Sequence, residues 1–589
     1  MEQNNVFKNT VPMEKPITEP NEIDSVIREV TVEVEEAPVS IWSGNVLSKK
    51  KQNLKKINQL FQNIWPLLLL LSSIVIVMYY ILFPAKGEFH SDCTDTLYWA
   101  EAAMQGKGLI NPDFTYAALM PFGGNIFMQI WIPFFGISML THTLGMVTFF
   151  IFFVVFLCLM LREMHFGLRS ISVTVSGLLM TLCLSQKLRE IFWGHIIHYS
   201  LGVFFLFIGL FLVLRIINLC ERRPTHSIYI QKIIFFILLA VDFIICCTNS
   251  TTAIALFALP IIGGVFCERF LDYRTPFHHR KNYTSLLVLL ICVIGLLLGI
   301  QLGAVINGDA KALYAEAYSK FSNPNEWWAH VEKLPLDFLN LLGLQINKQN
   351  NLASIEGIQV ILTIFYALFL IVMPVVALCC YRKIKETGMR ILIWAHFIVT
   401  AFILVGYFCG LLSVANWRLS PAVCTGVLVS FAFLRWLYHQ VEYKRLSVLL
   451  CIPLAYICLH SGWEVVKMPE DFYKTNVNYE LGEYLKEQNL TYGYASFWHS
   501  QAITVLEDSK VKARSVDFSD SDGVSASLYQ SNWNWFQDQP GQDRYFLLME
   551  QEELEKLNQS ASLVLTMPHE ELNYRGYTIW VFSENIFSE

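Results

Sequence analysis

Long apolar runs separated by short polar segments make up most of the chain. The first run covers residues 64–83, and about 20 apolar residues are what a helix needs to cross the hydrocarbon core of a bilayer. Ten similar runs follow. The pattern therefore predicts eleven membrane-spanning helices, at residues 64–83, 141–161, 170–186, 199–217, 233–247, 251–267, 284–305, 356–380, 391–413, 419–438 and 446–461.

Basic residues collect at alternate ends of these runs. A lysine cluster at 49–56 precedes the first run, and the loops after the second, fourth, sixth, eighth and tenth runs are also basic. Cytoplasmic loops carry an excess of Lys and Arg, so the N-terminus is predicted to be cytoplasmic and the C-terminus to lie across the membrane. The chain is 54% hydrophobic and only 16% charged, which agrees with a multi-pass protein of the plasma (cytoplasmic) membrane.

Three regions are predicted from this layout. Residues 1–48 are acidic and proline-containing and are expected to form a disordered cytoplasmic tail. Residues 49–461 form the membrane module, with long outer loops at 85–140 and 306–355. Residues 462–589 are expected to form a small extracytoplasmic α/β domain, with a helix at 479–488, a charged helix at 550–557, and strands at 490–497, 510–516, 544–549, 561–566 and 577–582.

The first long loop opens with a polar segment, His90-Ser91-Asp92-Cys93-Thr94-Asp95. A helical pattern begins there at Thr94, and an i, i+3 spacing places Asp92 and Asp95 on one helical face. Asp92 has two interpretations at this stage. It caps the following helix, or it is a carboxylate at the membrane rim that accepts a proton from a hydroxyl or holds a divalent cation.

This loop resembles the first outer loop of the C-type superfamily of membrane glycosyltransferases. The likeness rests on the acidic residue just past the first span, the small-residue helix that follows it (Ala100, Ala102 and Ala103), and the segments at 111–116, 121–125 and 492–498. This chain differs in one respect: it has Asp-Cys-Thr-Asp at residues 92–95, whereas several branches of the superfamily have adjacent Asp and Glu residues there. The resemblance implies that a first-loop aspartate is essential, with Asp92 favoured as the general base and Asp95 second.

The resemblance also implies the reaction and its partners. Such enzymes transfer a sugar from a polyprenyl-phosphate carrier to an acceptor on the outer face of the membrane. A glycan, a lipid or a protein could serve as the acceptor here, and the bilayer holds the carrier. Asp92 and Asp95 could supply two oxygen ligands to a Mg²⁺ or Mn²⁺ ion, but two carboxylates do not make a complete metal site.

A phosphate leaving group needs cations near the outer rim. The candidates for binding the donor phosphate are Lys187, Arg189, His195, His198 and Arg418. Arg418 has the alternative role of an interfacial anchor beside a tryptophan, and histidines are also common at membrane interfaces. The candidates for binding the acceptor or its sugar are Tyr98, Trp327, Trp533 and Trp535, although tryptophans in a small domain more often form its core.

Two other classes of function compete with the enzyme. A transporter or a flippase for lipid-linked sugars usually places ionisable residues at mid-membrane, often in repeated halves. A non-catalytic envelope-assembly protein would keep the same layout. The chain has no nucleotide-binding motif, and its basic clusters follow the membrane topology, so a nucleic-acid partner is not expected.

Overall fold

The computed structural model describes residues 64–271, 280–313, 320–344, 354–410 and 414–588. The predicted disordered segment 1–48 and the lysine cluster at 49–56 lie outside these residues. Parts of the predicted 306–355 loop also lie outside them.

In the part of the chain that the structure describes, nine of the eleven predicted spans are present as single long helices. Within the described residues, nine helices are long and apolar enough to cross a membrane: Ile64–Lys86, Met139–Glu163, His198–Glu221, His226–Asn249, Tyr283–Asn307, Ile355–Cys379, Thr387–Phe408, Asn416–His439 and Val441–Val466. A helix suits these runs because it satisfies every backbone hydrogen bond within the segment, where lipid offers no partner. The chain is therefore a polytopic α-helical membrane protein.

Two of the eleven predicted spans are not single helices. The span at 170–186 is a helix at Leu168–Thr181 that meets a second helical segment, Gln186–Gly194, at an angle of 114°. Ser185 lies at the corner, where its hydroxyl accepts a hydrogen bond from the Leu188 amide at 3.1 Å and donates one to the Leu341 carbonyl at 2.7 Å. Counted as one span, this bent pair brings the total in the described residues to ten.

The span at 251–267 is helical but segmented. It consists of Ser250–Ala253, a π-helical turn at Ile254–Ala258, and Leu259–Phe270. The predicted spans 233–247 and 251–267 leave only a short turn between them, and this turn contains Asn249. The Asn249 side chain exchanges two hydrogen bonds of 3.1 Å with the backbone N–H and carbonyl of Phe122, so this turn is fastened to the first long loop.

That loop, residues 87–138, is here called the first loop. It contains a 3₁₀ turn at Ser91–Thr94, the predicted helix at Asp95–Gln105, and a short strand β1 at Phe114–Thr115. The apolar stretch at residues 126–140 begins with two short helices, Asn125–Gln129 and Ile132–Phe135. Phe134 is 73% exposed there, as a ring at a membrane interface would be.

The tail, residues 467–588, folds around one mixed sheet. Its helices are Val477–Glu487, Phe497–Leu506 and Gln551–Gln559. Its strands are β2 Tyr492–Ala495, β3 Lys512–Ser519, β4 Gly523–Ala526, β5 Ser531–Asn532, β6 Tyr545–Met549, β7 His569–Tyr574 and β8 Tyr577–Phe582. The six-stranded sheet has the order β4-β3-β2-β6-β8-β7, with β2 parallel to both β3 and β6.

Most of the elements predicted for the tail are confirmed, but one strand is wrong. Residues 561–566 contain a 3₁₀ turn at Leu563–Thr566, and the strand follows it as β7. β7 reads His-Glu-Glu-Leu-Asn-Tyr and is mostly exposed. A charged strand at a sheet edge discourages pairing with other chains, and its sequence therefore lacks the apolar alternation that identifies a half-buried strand.

The first loop and the tail are joined by buried polar contacts. β1 pairs antiparallel with β5. Thr94 Oγ1 donates to Gln501 Oε1 at 2.8 Å, and Trp99 Nε1 donates to Gln530 Oε1 at 2.6 Å. Residues 64–588 cluster as one unit, and the division at 461/462 stays a prediction.

The indole hydrogen bond of Trp99 tests this docking. Trp99 and Gln530 are both almost fully buried. Trp99→Phe should therefore leave the side-chain amide oxygen of Gln530 without its donor, at a cost of about 1–3 kcal/mol. Thermal unfolding of the purified protein in detergent measures the loss. Trp533→Phe is the matched control, because Trp533 is 58% exposed and should tolerate the change. Equal stability of the two variants would contradict a role for this bond.

Candidate functional site

Asp92 lies in the 3₁₀ turn that opens the first loop, and it is half-buried. Neither this turn nor the following helix has a side-chain cap, so the capping interpretation of Asp92 is wrong. In the part of the chain that the structure describes, its carboxylate accepts no hydrogen bond. A carboxylate that is partly accessible and unpaired is available to an incoming hydroxyl.

Asp95 has a different environment although it is only three residues away. It is 5% exposed and lies beside Gln530 of the tail. Burial raises the pKa of Asp95 well above its usual range, and the neighbouring Asp92 charge raises it further. These effects favour the neutral carboxylic acid. The structure thus separates the two aspartates into an accessible group and a buried one.

A buried ion pair connects the first loop to the bent segment. Arg189 donates from Nε to Glu88 Oε2 at 3.2 Å and from Nη2 to Glu88 Oε1 at 2.5 Å. The two side chains are only 6% and 8% exposed. Arg189 also donates to the Cys183 carbonyl at 3.2 Å, and Tyr80 donates its hydroxyl to Glu88. Arg189, a predicted phosphate ligand, is thus already engaged by a carboxylate that the sequence did not single out.

Glu190, the next residue, gathers three basic side chains. Its carboxylate lies 2.6 Å from Lys187 Nζ, 3.5 Å from His90 Nε2 and 3.8 Å from His195 Nε2. These four residues are here called the Glu190 cluster. Two of its cations, Lys187 and His195, were predicted. Glu190 and His90 were not, because only the fold brings His90 to the Gln186–Gly194 segment.

The Glu190 cluster places three basic side chains around one carboxylate. Burial lowers the pKa of His90, but its charge and hydrogen-bond interactions with Cys93 and Glu190 outweigh burial and raise the pKa well above its usual range. Lys187 is 34% exposed, and Nδ1 of His195 is buried without a partner. The cluster can therefore accept an anion.

The other two predicted phosphate ligands, His198 and Arg418, lie beside this cluster. Lys187 Nζ is 4.9 Å from the ring centroid of Trp417, and Arg418 follows Trp417 in a 3₁₀ turn. Arg418 is 7% exposed and interacts electrostatically with His198. Because it is buried, it does not fit the role of an anchor that reaches to the interface. The His198 Nδ1 atom is 3.1 Å from the Thr252 hydroxyl.

The predicted acceptor-binding rings are not gathered in one place. Tyr98 is 1% exposed and packs against Trp535 with ring centroids 5.5 Å apart. Trp535 also lies 4.0 Å from the guanidinium of Arg514, so both rings have packing roles where the first loop meets the tail. Trp327 is half-buried and donates to the Ser322 carbonyl at 3.3 Å. Trp533 is exposed.

A divalent cation has few ligands here. Across the described residues, no group of three His, Cys, Asp or Glu side chains is arranged to hold a metal ion. Asp92 and Asp95 supply two carboxylates, whereas Mg²⁺ and Mn²⁺ take about six ligands, and Asp95 is only 5% exposed. Asp92 with Asp95 therefore does not fit such a site.

The arrangement of helices and tail matches a known protein. ArnT from Cupriavidus metallidurans, in its apo state, aligns over 89% of this chain and 98% of its own, with a TM-score of 0.51 and 10% sequence identity. The chain has the fold of ArnT. The fold expected from the resemblance to C-type membrane glycosyltransferases is thereby confirmed. No family model matches the sequence, and no curated protein matches it.

Two further solved structures show weaker similarity. ArnT from the same organism bound to undecaprenyl phosphate has a TM-score of 0.49 and 10% identity, over 87% of this chain and 97% of that one. The Archaeoglobus fulgidus oligosaccharyltransferase has a TM-score of 0.44 and 12% identity, over 77% of this chain. The chain spans 64% of the length of the archaeal protein.

Removal of one charge from the buried pair should destabilise the fold. Glu88→Gln leaves the Arg189 guanidinium buried without its counter-charge, and breaking a buried pair in this way costs about 3–5 kcal/mol. Thermal unfolding in detergent measures it. Asp471→Asn is the control, since the Asp471–Lys474 pair is exposed and such pairs contribute about 0–1 kcal/mol. A Glu88→Gln variant as stable as the control variant would contradict the importance of the pair.

The raised pKa of Asp95 predicts a pH dependence of stability. A carboxyl with a raised pKa binds its proton more tightly in the folded chain than in the unfolded one. Its contribution to the free energy of unfolding is therefore lost as the pH rises from the unfolded pKa of about 3.9 towards the pKa in the folded chain. Asp95→Asn should remove this loss, so its melting temperature relative to the parent should rise between pH 5 and pH 8. Asp113→Asn, at an exposed first-loop position, should melt in parallel with the parent.

Proposed function

We propose that the protein is an integral-membrane glycosyltransferase that uses a polyprenyl-phosphate sugar as donor. The observation that supports it most is the half-buried, unpaired Asp92 beside a cluster of basic side chains that includes His90, two residues away in sequence. The ArnT fold supports the same conclusion, and ArnT itself has been solved with undecaprenyl phosphate. An accessible base next to an anion site is the arrangement that transfer from a phosphate-linked donor requires.

The reaction follows from these groups. The donor phosphate binds Lys187, His90 and His195, with Arg418 as the further cation. The acceptor hydroxyl oxygen attacks the anomeric carbon, Asp92 takes the hydroxyl proton, and the bond from the anomeric carbon to the phosphate oxygen breaks. The polyprenyl phosphate leaves with the bonding electron pair, and the basic side chains stabilise its added negative charge.

The location of the charges favours this function over transport. The first loop contacts both the tail and the Gln186–Gly194 segment, and Lys187 of that segment contacts Trp417. The site therefore lies at the end of the helix bundle that carries the tail. A transporter or flippase would be expected to hold its ionisable groups at mid-membrane. By the distribution of basic loops this end is the outer face of the plasma membrane, where the acceptor is a glycan, a lipid or a protein.

Asp92→Asn tests the proposed base. Loss of a general base lowers rates by about 10²–10⁴-fold, so transfer should fall by at least about 100-fold. Membranes containing the variant are incubated with polyprenyl-phosphate sugars that carry a radiolabelled sugar, and label is counted in lipid, glycan and protein fractions. Full activity of Asp92→Asn, in membranes where the parent is active, would overturn the assignment.

Two companion variants sharpen the result. Asp95→Asn should retain most of the activity, because an amide replaces a carboxyl that is held in its neutral form. Asp113→Asn, at an exposed position in the same loop, should be fully active. If Asp95→Asn instead abolished transfer while Asp92→Asn did not, the roles of the two aspartates would be reversed. Absence of labelled product with the parent protein and every donor would refute the glycosyltransferase itself.

A further inference from the structure

Trp498 of the tail projects from the surface that faces the site. It is the second residue of the helix Phe497–Leu506 and is 58% exposed. The next residue, His499, is 6% exposed, so the helix buries its other side in the tail. A large apolar ring left open in a folded domain is more informative than a buried one, because leaving it exposed forgoes burial energy.

The backbone around this ring is held on both sides. Ser91 of the first loop donates its hydroxyl to the Phe497 carbonyl at 2.5 Å, and Asn478 donates to the Trp498 carbonyl at 3.1 Å. The Phe497 ring packs edge-on against Trp498 at a centroid distance of 5.3 Å. A ring held in this way loses little conformational freedom when a ligand binds, which increases affinity.

Trp498 of the tail has His90 of the first loop as a neighbour. Their ring centroids are 6.4 Å apart, and His90 belongs to the Glu190 cluster. Ser91, the residue that fastens Phe497, lies directly between His90 and Asp92 in sequence. A phosphate bound by the Glu190 cluster would therefore carry its substituents close to the Trp498 ring. A polyprenyl-phosphate sugar has two substituents on its phosphate, the prenyl chain and the sugar, and under the proposed function the sugar is the one that must reach Asp92.

We propose that Trp498 is a stacking platform for the sugar of the donor. This inference rests on the proposed function and assigns to the tail a direct part in binding the donor. A pyranose presents a face of C–H groups, which carry slight positive charge, and the face of an indole carries the negative part of the ring quadrupole. The ring thus recognises a pyranose while Lys187 and His90 recognise the phosphate.

The test separates the sugar from the carrier. Purified protein in nanodiscs is titrated with farnesyl phosphate, and with farnesyl phosphate linked to glucose, galactose or N-acetylglucosamine, and Kd is measured by thermophoresis. The parent should bind at least one sugar lipid more tightly than farnesyl phosphate. Trp498→Ala should raise the Kd for that sugar lipid about five- to tenfold, the scale of an aromatic contact. It should leave the affinity for farnesyl phosphate unchanged.

Two variants control the measurement. Trp498→Phe keeps an aromatic face and should restore most of the difference between the sugar lipid and farnesyl phosphate. Leu563→Ala removes an apolar side chain of the tail that is 80% exposed, and it should change neither affinity. A ring that only anchors the tail at the membrane interface would not alter the difference between the two kinds of lipid.

Several outcomes would overturn the inference. A parent that binds no sugar lipid more tightly than farnesyl phosphate has no sugar contact for Trp498 to make. Equal weakening of sugar lipid and farnesyl phosphate by Trp498→Ala would place the effect on the phosphate, through His90. Failure of the parent to bind farnesyl phosphate itself would refute the proposed donor class, and this failure is distinguishable from the other two.

Discussion

Two charges buried away from water have to be paired with each other, and Glu88 and Arg189 pair across 101 residues of chain. One partner lies just past the first membrane helix and the other lies in the segment after the 114° bend. The pair sets the position of His90 relative to Glu190, and through His90 it sets where Asp92 emerges. Because separation of the two charges is so costly, the loop and the bent segment behave as one rigid part, on which the tail then rests.

The same constraint explains how much the sequence could predict. Apolar runs and basic loops act locally, so the spans and the position of Asp92 after the first helix were readable. Lys187 and His195 could be predicted to lie near each other, since they share one short segment. Glu88 and Glu190 were missed because their importance comes from partners far away in sequence. Tyr98 was assigned to an acceptor because nothing in its neighbourhood reveals that Trp535 covers it.

Asp92 and Asp95 show how environment divides similar residues. They are three positions apart, yet the tail covers only the second, with Gln530 beside it. An accessible carboxylate is suited to accept a proton, whereas a buried one is held neutral. The tail therefore determines which aspartate is available, although both are contributed by the first loop. This division could not be read from the Asp-Cys-Thr-Asp segment alone, since it depends on residues more than 400 positions later.

That separation in sequence has a consequence for biosynthesis. Ser91 finds its partner Phe497 only 406 residues later, and ribosomes add about 5–20 residues per second. The first loop therefore spends about 20–80 s in the membrane before its permanent cover has been made. During that interval Trp99 and Thr94 expose groups that end up buried, and the site lacks the wall supplied by the tail. In a chain truncated before residue 497, Ser91, Thr94 and Trp99 would lack their hydrogen-bond partners in the tail.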